Sequence, residues 1–85
     1  MKIVFHEKFK KQYKKLRPLR QKVDARLRLF VHEPFHVSLN NHALAGPYKG
    51  LRSINITGDY RAIYQLVYSD TAYFIGLDKY ANLYG

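Results

Sequence analysis

The 85-residue chain is 47% hydrophobic and carries a formal net charge of +9, which predicts one folded basic domain over residues 1–85 rather than a disordered tail. Cysteine is absent, which excludes disulfide scaffolds, thiolate metal sites and cysteine nucleophiles, and no segment approaches the roughly 18 apolar residues of a membrane span. We therefore expect a soluble, cytoplasmic domain with an anionic partner. Nucleic acid, an acidic protein or an anionic membrane surface would each satisfy that charge.

The first third of the chain predicts a short strand followed by two helices. Lys2 to Phe5 is a strand candidate, and from His6 onward apolar side chains recur at helical spacing. Pro18 ends the first helix or opens the second, because proline suits a first helical turn, and Pro34 ends the second. The helices are expected to form a hairpin around a shared core that contains Phe9, Tyr13, Leu16, Leu19, Val23, Leu27, Phe30 and Val31.

The positive charge is concentrated on these two helices. Residues 1–33 contain 11 Lys and Arg against 3 Asp and Glu, whereas residues 34–85 contain 4 against 3. The basic side chains lie away from the apolar stripe, and the pattern predicts a folded segment rather than a flexible arm. Most of the charge is therefore expected to form a docking surface.

The hydrophobic period changes in the second half, which predicts three antiparallel strands. From Leu51 onward, Ile54 and Ile56 alternate with Ser53, Asn55 and Thr57, and strands over 60–68 and 72–77 follow turns at 58–59 and 69–70. A strand, a helical hairpin and a three-stranded meander give an α+β domain with the helices on one sheet face and a short helical turn at the end. The other face is expected to be concave and uncovered, which makes it a natural place for a site.

The first turn of the meander sets its register. If residues 57–59 form a three-residue loop with Gly58 in the left-handed region, Ile54 lies opposite Ala62 and Asn55 lies opposite Arg61. A two-residue loop would mix polar and apolar residues on one face, since a one-residue slip moves every side chain to the other face. The first register is therefore preferred, and it places Asn55 beside Arg61 on the uncovered face.

Two side chains of the second half are suited to acid–base or phosphate chemistry. His42 is either a general acid or base, because imidazole titrates near neutral pH, or a loop histidine that caps the local backbone. Arg61 interrupts an apolar strand, so it either binds a phosphate oxyanion through its planar fork or pairs with Asp59 or Asp70.

The basic and aromatic residues near this face also have two interpretations each. Lys49 and Arg52 either hold flanking phosphates or are ordinary solvated charges. Tyr80 and Tyr84 either stack on a base, bond a phosphate or donate a proton, or pack the terminal turn onto the sheet. The four histidines have no ligand-like spacing, so no metal is expected.

Three segments carry a resemblance to a known family: HALAGPYKGLRS at 42–53, GDYRAIY at 58–64 and LYG at 83–85. Together they resemble the RelE/ParE toxin superfamily, and most of all the RelE/StbE and YafQ-like mRNA interferase toxins of type II toxin–antitoxin systems. The resemblance covers nearly the whole chain and implies the RelE-like microbial RNase fold. It also implies a ribosome-dependent endoribonuclease in which an RNA 2′-hydroxyl attacks the adjacent phosphate without a metal or other cofactor.

The resemblance implies roles for individual residues. Arg61, helped by Arg52, would stabilise the phosphate in the transition state, and His42, oriented by Asp59, would act as acid or base. The remaining RNA contacts are expected from the basic faces of the hairpin and from the meander: Lys10, Lys11, Lys14, Lys15, Arg20, Lys22, Arg26, Lys49 and Asn55.

Two positions depart from the family pattern. Asn55 and Tyr80 stand where YafQ-like toxins usually have histidines. An amide does not accept a proton near neutral pH, and a phenol with a pKa of about 10 is a poor base, so cleavage is expected to be slow, to follow a different mechanism or to be absent. Tyr84, or in second place Tyr80, would stack on a base or transfer a proton.

The implied partners are a cognate antitoxin with an acidic or amphipathic segment, and mRNA and ribosomal RNA in the A site of the 70S ribosome, with no membrane. Other functions stay open. A ParE-like relative would inhibit DNA gyrase, and a catalytically degenerate homologue would bind its antitoxin without cleaving RNA. A basic RNA-binding module would bind with steep salt dependence and no turnover.

Overall fold

The order of elements follows the predicted one, with a strand added between the helices and the meander. The computed structural model describes residues 1–84 without the side chain of Tyr84, and no helix in that part is long and apolar enough to cross a membrane. Five strands form one sheet in the order β1-β5-β4-β3-β2. The elements are β1 (Lys2–Phe5), α1 (Glu7–Lys15), α2 (Arg20–His32), β2 (His42–Ala43), β3 (Arg52–Asn55), β4 (Tyr60–Val67), β5 (Thr71–Lys79) and α3 (Tyr80–Tyr84).

The ends of the first two helices are set by local sequence. His6 caps α1, because its Nδ1 accepts a hydrogen bond from a first-turn amide at 3.0 Å, and Lys14 and Lys15 lie in the last turn, where the helix dipole favours cations. Pro18 lies in a short 3-10 turn over Arg17–Leu19 that leads into α2. The predicted pair of helices with a proline in the connection is confirmed.

Aromatic side chains from both layers form the centre of the core. Phe9 of α1, Phe30 of α2, Tyr64 of β4 and Phe74 of β5 are all 2% exposed or less. The Phe30 ring centroid lies 5.0 Å from that of Tyr64 and 5.3 Å from that of Phe74, with interplanar angles of 69° and 81°. Edge-to-face pairs of this kind are favourable beyond their buried area. The helices thus pack on one sheet face, as predicted.

The predicted meander is confirmed as β3, β4 and β5, and its register is the preferred one. Ile54 pairs with Ala62, and Asn55 pairs with Arg61. Two edge strands extend the sheet: β1 pairs in parallel with β5, and β2 pairs antiparallel with β3. A strand of two residues is too short to produce an alternating pattern, which is why the sequence did not predict β2.

The conformation of the first meander turn differs from the prediction. Gly58 is not in the left-handed region. Instead, the Thr57 hydroxyl accepts hydrogen bonds from the amides of Asp59 and Tyr60 at 3.2 and 3.1 Å. A side-chain hydroxyl that bonds nearby amides closes a turn without a glycine conformation, so the predicted register is kept by a different device.

The sheet face opposite the helices is partly covered, which corrects the prediction of an uncovered face. Ser53 is fully buried and Ile63 is 4% exposed. Both alternate with the core residues of their strands, so their side chains lie on the face opposite the helices. A Cβ at Gly76, which pairs with Ile63, would lie 3.7 Å from Leu83 Cδ2. The Tyr48 hydroxyl also donates a hydrogen bond to the Leu83 carbonyl oxygen at 2.6 Å. Helix α3 therefore packs on this face.

Candidate active site

Arg61 presents a cation without a carboxylate partner at the start of β4. Its Nη1 donates to two carbonyl oxygens of the preceding turn, both at 2.9 Å, and its guanidinium carbon lies 5.6 Å from the centroid of the Tyr80 ring. Among the described residues no carboxylate lies within 4.0 Å of it, so the alternative pairing with Asp59 or Asp70 is not formed. The remaining guanidinium N–H groups match a phosphate oxyanion in geometry and charge.

Helix α3 is tied to the same turn that holds Arg61. The Tyr80 amide donates to the Asp59 carbonyl oxygen at 2.7 Å, and the Tyr80 side chain is 55% exposed. Asp78 lies opposite Arg61 in the sheet, but its Oδ1 accepts hydrogen bonds from the Lys79 amide at 2.7 Å and the Asn82 side chain at 3.0 Å. Asp78, the carboxylate paired with Arg61 in the sheet, therefore forms hydrogen bonds at the start of α3 and not with Arg61.

His42 has its tautomer set by the backbone. It lies on edge strand β2, is exposed, and its Nδ1 is 2.8 Å from the carbonyl oxygen of Asn40. Because a carbonyl oxygen is an acceptor, Nδ1 carries the proton, and the neutral imidazole then has its lone pair on Nε2. Asn40 itself adopts the left-handed conformation with a φ of 46°. The arrangement makes Nε2 of His42 a proton acceptor that faces solvent.

Two buried polar atoms on this face have no hydrogen-bond partner within the described part of the chain: Ser53 Oγ and Asn55 Oδ1. Ser53 lies between His42 and Ile63 in the sheet, and Asn55 lies beside Arg61. Leaving a buried polar group unsatisfied costs about 1–3 kcal/mol, so each of these atoms is expected to bind an ordered water, an ion or a ligand group. Asn55 was among the predicted site residues and Ser53 was not, although alternation with the core residue Ile54 places Ser53 on the site face.

The sheet geometry sets the size of the site. His42 and Arg61 are separated by two strand spacings of about 4.8 Å and by two residues of about 3.3 Å along the strand, or about 12 Å between Cα atoms. Both side chains are on the face that carries Ser53. His42 and Arg61 therefore flank the buried residues Ser53 and Ile63 on this face.

Two predicted partnerships are not formed. Asp59 does not orient His42, because His42 bonds to Asn40 and Asp59 lies in the turn beyond the far end of β3. Arg52 does not assist Arg61, because it is one residue out of step with the β3 residues of the site and is therefore on the helix-side face. Alternation along β3 was sufficient to reveal the second point.

Lys49 and Tyr84 are the other two residues that were predicted to belong to the site. Lys49 is exposed in the turn that follows Tyr48, next to the residue that bonds α3. The side chain of Tyr84 lies outside the described residues, so its predicted role stays a prediction.

The connection between α1 and α2 engages one of the predicted RNA-binding cations. The Arg20 guanidinium carbon lies 5.5 Å from the centroid of the Tyr13 ring, and its Nε donates to the Tyr13 carbonyl oxygen at 3.3 Å. The Tyr13 hydroxyl donates to Asp24 Oδ1 at 2.7 Å, and this hydrogen bond raises the pKa of Tyr13 above its usual value of 10.0. Arg20 is thus part of the hairpin structure.

The other predicted basic residues lie across the sheet from the site. Arg26 Nη1 donates to Ser38 Oγ at 2.8 Å, and Lys10 Nζ lies 3.6 Å from the Glu7 carboxylate in an exposed pair of little energetic value. Among the predicted RNA-binding residues of the two helices, Lys11, Lys14, Lys15 and Lys22 are exposed, and none of the four has a carboxylate within 4.0 Å in the described part of the chain. Docking charge and candidate chemistry are therefore on opposite sides of the molecule.

The strand–helix–helix–meander architecture is shared with solved structures of bacterial toxins of the YafQ and YoeB/ParE type. The resemblance inferred from the sequence is confirmed in the fold. No family model and no curated protein sequence matches the chain, so the comparison depends on solved structures.

The chain is similar to YafQ from E. coli strain BL21(DE3), with 23% identity over 98% of this chain and 97% of that one and a TM-score of 0.82. It is similar to a YoeB/ParE toxin from Agrobacterium tumefaciens, with 21% identity, coverages of 94% and 99%, and a TM-score of 0.78. A chain of the E. coli DinJ-YafQ toxin–antitoxin complex matches with 22% identity, coverages of 98% and 96%, and a TM-score of 0.78. These likenesses establish the fold.

Proposed function

We propose that the protein is the toxin of a type II toxin–antitoxin system and cleaves mRNA on the ribosome in the cytoplasm. The observation that carries the proposal is the combination on one sheet face of an imidazole with a free Nε2 and an arginine without a carboxylate partner among the described residues. The shared fold with YafQ and YoeB/ParE toxins supports it. The DinJ-YafQ complex supports an antitoxin as the protein partner.

The proposed reaction needs a base, a cation and an acid. His42 Nε2 removes the proton of an RNA 2′-hydroxyl, and the oxygen attacks the adjacent phosphorus while the bond to the 5′-oxygen breaks, leaving a 2′,3′-cyclic phosphate. Arg61 neutralises the charge that develops on the phosphoryl oxygens. Tyr80, 55% exposed beside Arg61, or Tyr84 supplies the leaving oxygen with its proton. The 2′-hydroxyl as nucleophile restricts the reaction to RNA.

The buried polar atoms fit a substrate role. Asn55 Oδ1 and Ser53 Oγ lack partners among the described residues, and a ribose or base hydroxyl, amino or imino group would satisfy them. Asn55 takes no part in proton transfer, because an amide does not accept a proton near neutral pH. It would bind substrate at the position where family members carry a histidine.

The experiment is primer extension on an mRNA translated in a cell-free system with added toxin. His42→Ala should lower the cleavage rate about 100- to 10,000-fold, which is the usual contribution of a general base. His32→Ala is the matched control, because His32 is exposed in the last turn of α2, away from the site face. Equal cleavage by both variants would contradict the role of His42. Intact mRNA together with stabilised gyrase–DNA breaks would indicate a gyrase inhibitor instead.

A further inference from the structure

A third aromatic–arginine pair, after Arg61–Tyr80 and Arg20–Tyr13, lies on the other side of edge strand β2, in a position that the proposed reaction does not use. Phe35, in the segment between α2 and β2, is 68% exposed. The guanidinium carbon of Arg52 lies 5.4 Å from the centroid of its ring. The rest of the ring faces solvent, so it offers a surface on which a planar group can stack.

Hydrogen bonds through Asn41 hold Arg52 and the backbone that precedes Phe35. Asn41 accepts a hydrogen bond from Arg52 Nε at 2.9 Å, and its side-chain nitrogen donates to the Pro34 carbonyl oxygen at 2.8 Å. The same nitrogen lies 2.8 Å from the hydroxyl of Tyr64, whose side chain is 1% exposed. One amide thus links the arginine, the residue before Phe35 and the core. A stacking surface that is already ordered loses little entropy when it binds a ligand.

The free donors of Arg52 point to an anion. Within the described residues, Nη1 and Nη2 of Arg52 have no hydrogen-bond partner and no carboxylate within 4.0 Å. Arg26, bonded to the Ser38 hydroxyl of the same segment, adds positive charge nearby. An aromatic ring beside an unpaired guanidinium fork fits a base and its phosphate, because the base stacks and the phosphate takes a bidentate contact.

The sheet register relates this pair to the candidate active site. Arg52 pairs with Ala43, and the next residues along, Ser53 and His42, pair with each other. Neighbouring residues of a strand point to opposite faces, so His42 and Arg52 lie on the two sides of the same edge. A single RNA strand that crosses β2 would meet both.

We propose that Phe35 and Arg52 form a stacking subsite for one nucleotide of single-stranded RNA, outside the scissile step. The inference rests on the proposed function, since it takes RNA to be the substrate. The free guanidinium fork and the small size of the ring surface favour a nucleotide over a peptide segment of an antitoxin.

The test measures binding of a short single-stranded RNA whose 2′-hydroxyls are methylated, so that it is not cleaved, with 2-aminopurine placed at successive positions. Stacking on Phe35 should quench the fluorescence at one position. Phe35→Leu should abolish that quenching and weaken binding about 5- to 50-fold, whereas Phe35→Tyr should retain both. Val37→Ala is the matched control, because Val37 is 88% exposed in the same segment and has no ring. The slope of log affinity against log salt should not change, since no charge is removed.

Each outcome bears on one proposal or the other. Unchanged quenching and affinity in Phe35→Leu, with mRNA cleavage present, would overturn the subsite and leave the proposed function intact. Phe35-dependent binding by a protein that cleaves no mRNA would support the subsite and overturn the proposed function. If Phe35→Leu weakens binding to the cognate antitoxin and not to RNA, the pair is a protein contact and the subsite is wrong.

Discussion

Arg61 is the residue whose replacement separates chemistry from folding most clearly. In the folded protein its Nη1 donates to the carbonyl oxygens of Thr57, Gly58 and Tyr60 at 2.9, 2.9 and 3.2 Å. Tyr60 keeps a second partner, because its carbonyl oxygen also accepts from the Ile56 amide at 2.9 Å. The other two belong to an exposed turn where water replaces the missing hydrogen bonds. Arg61→Ala should therefore cost about 1 kcal/mol of stability.

The expected effect on catalysis is much larger. Removing one charged group that stabilises a transition state costs about 100- to 1,000-fold in rate, or about 2.7–4 kcal/mol. A domain with about 5 kcal/mol of stability that loses about 1 kcal/mol stays more than about 99% folded at 25 °C. Unfolding therefore does not account for a hundredfold loss. Arg61→Lys should fall between the two proteins, because an ammonium keeps the charge and lacks the fork.

The assay pairs mRNA cleavage in a cell-free translation system with urea unfolding of the same preparations. Lys79→Ala is a suitable control, because Lys79 is an exposed cation at the end of β5. Cleavage by Arg61→Ala at the wild-type rate would refute the role of Arg61, and so would a rate loss matched by an equal fraction of unfolded protein.

Three further predictions concern stability and docking. The raised pKa of Tyr13 means that the folded state holds this proton more tightly than the unfolded state. The contribution of Tyr13 to the free energy of unfolding is therefore complete below pH 10.0 and is lost as the pH rises through the folded-state pKa. Tyr13→Phe should cost about 1 kcal/mol at neutral pH and flatten that alkaline loss in urea unfolding; an equal loss in both proteins would contradict it. Gly76→Ala should raise stability by about 0.5 kcal/mol, because its Cβ would meet Leu83 at an ordinary 3.7 Å, and a lower melting temperature would count against this packing. The double variant Lys11→Gln, Lys15→Gln should make the slope of log ribosome affinity against log salt shallower by about 0.7–0.9 for each phosphate that the protein no longer neutralises. The rate at which ribosome-bound toxin cleaves mRNA should not change. An unchanged slope would exclude these lysines from the docking surface.

The parts of the fold that depend on long periodic segments could be predicted from the sequence. Helices α1 and α2 and strands β4 and β5 extend over enough residues for their hydrophobic period to show. The pairing of Ile54 with Ala62 followed from the need to keep apolar side chains on one face. The two-residue strand β2 is too short to leave a pattern. Packing of the terminal turn on the sheet was one of two interpretations that the residue types left open, and it depends on tertiary contacts such as the hydrogen bond from Tyr48 to Leu83.

The candidate site could be predicted residue by residue but not as an arrangement. His42, Arg61 and Asn55 were named and lie on one face. The orientation of His42 comes from the backbone carbonyl of Asn40, and a main-chain partner leaves no mark in the residue types. The resemblance implied that Arg52 helps Arg61, whereas strand alternation would have placed Arg52 on the other face.

The cover on the site face determines where a substrate can enter. Leu83 packs over Gly76 and beside Ile63, so the middle of the sheet is closed by α3, while strand β2 at the edge has a neighbour on one side. His42 is exposed on that edge and faces the buried Ser53 hydroxyl across the β2–β3 pair. In the proposed reaction, an RNA strand that contacts the exposed His42 side chain would therefore approach over β2. The edge strand that the sequence did not predict is thus the element that connects the proposed chemistry with the stacking subsite behind it.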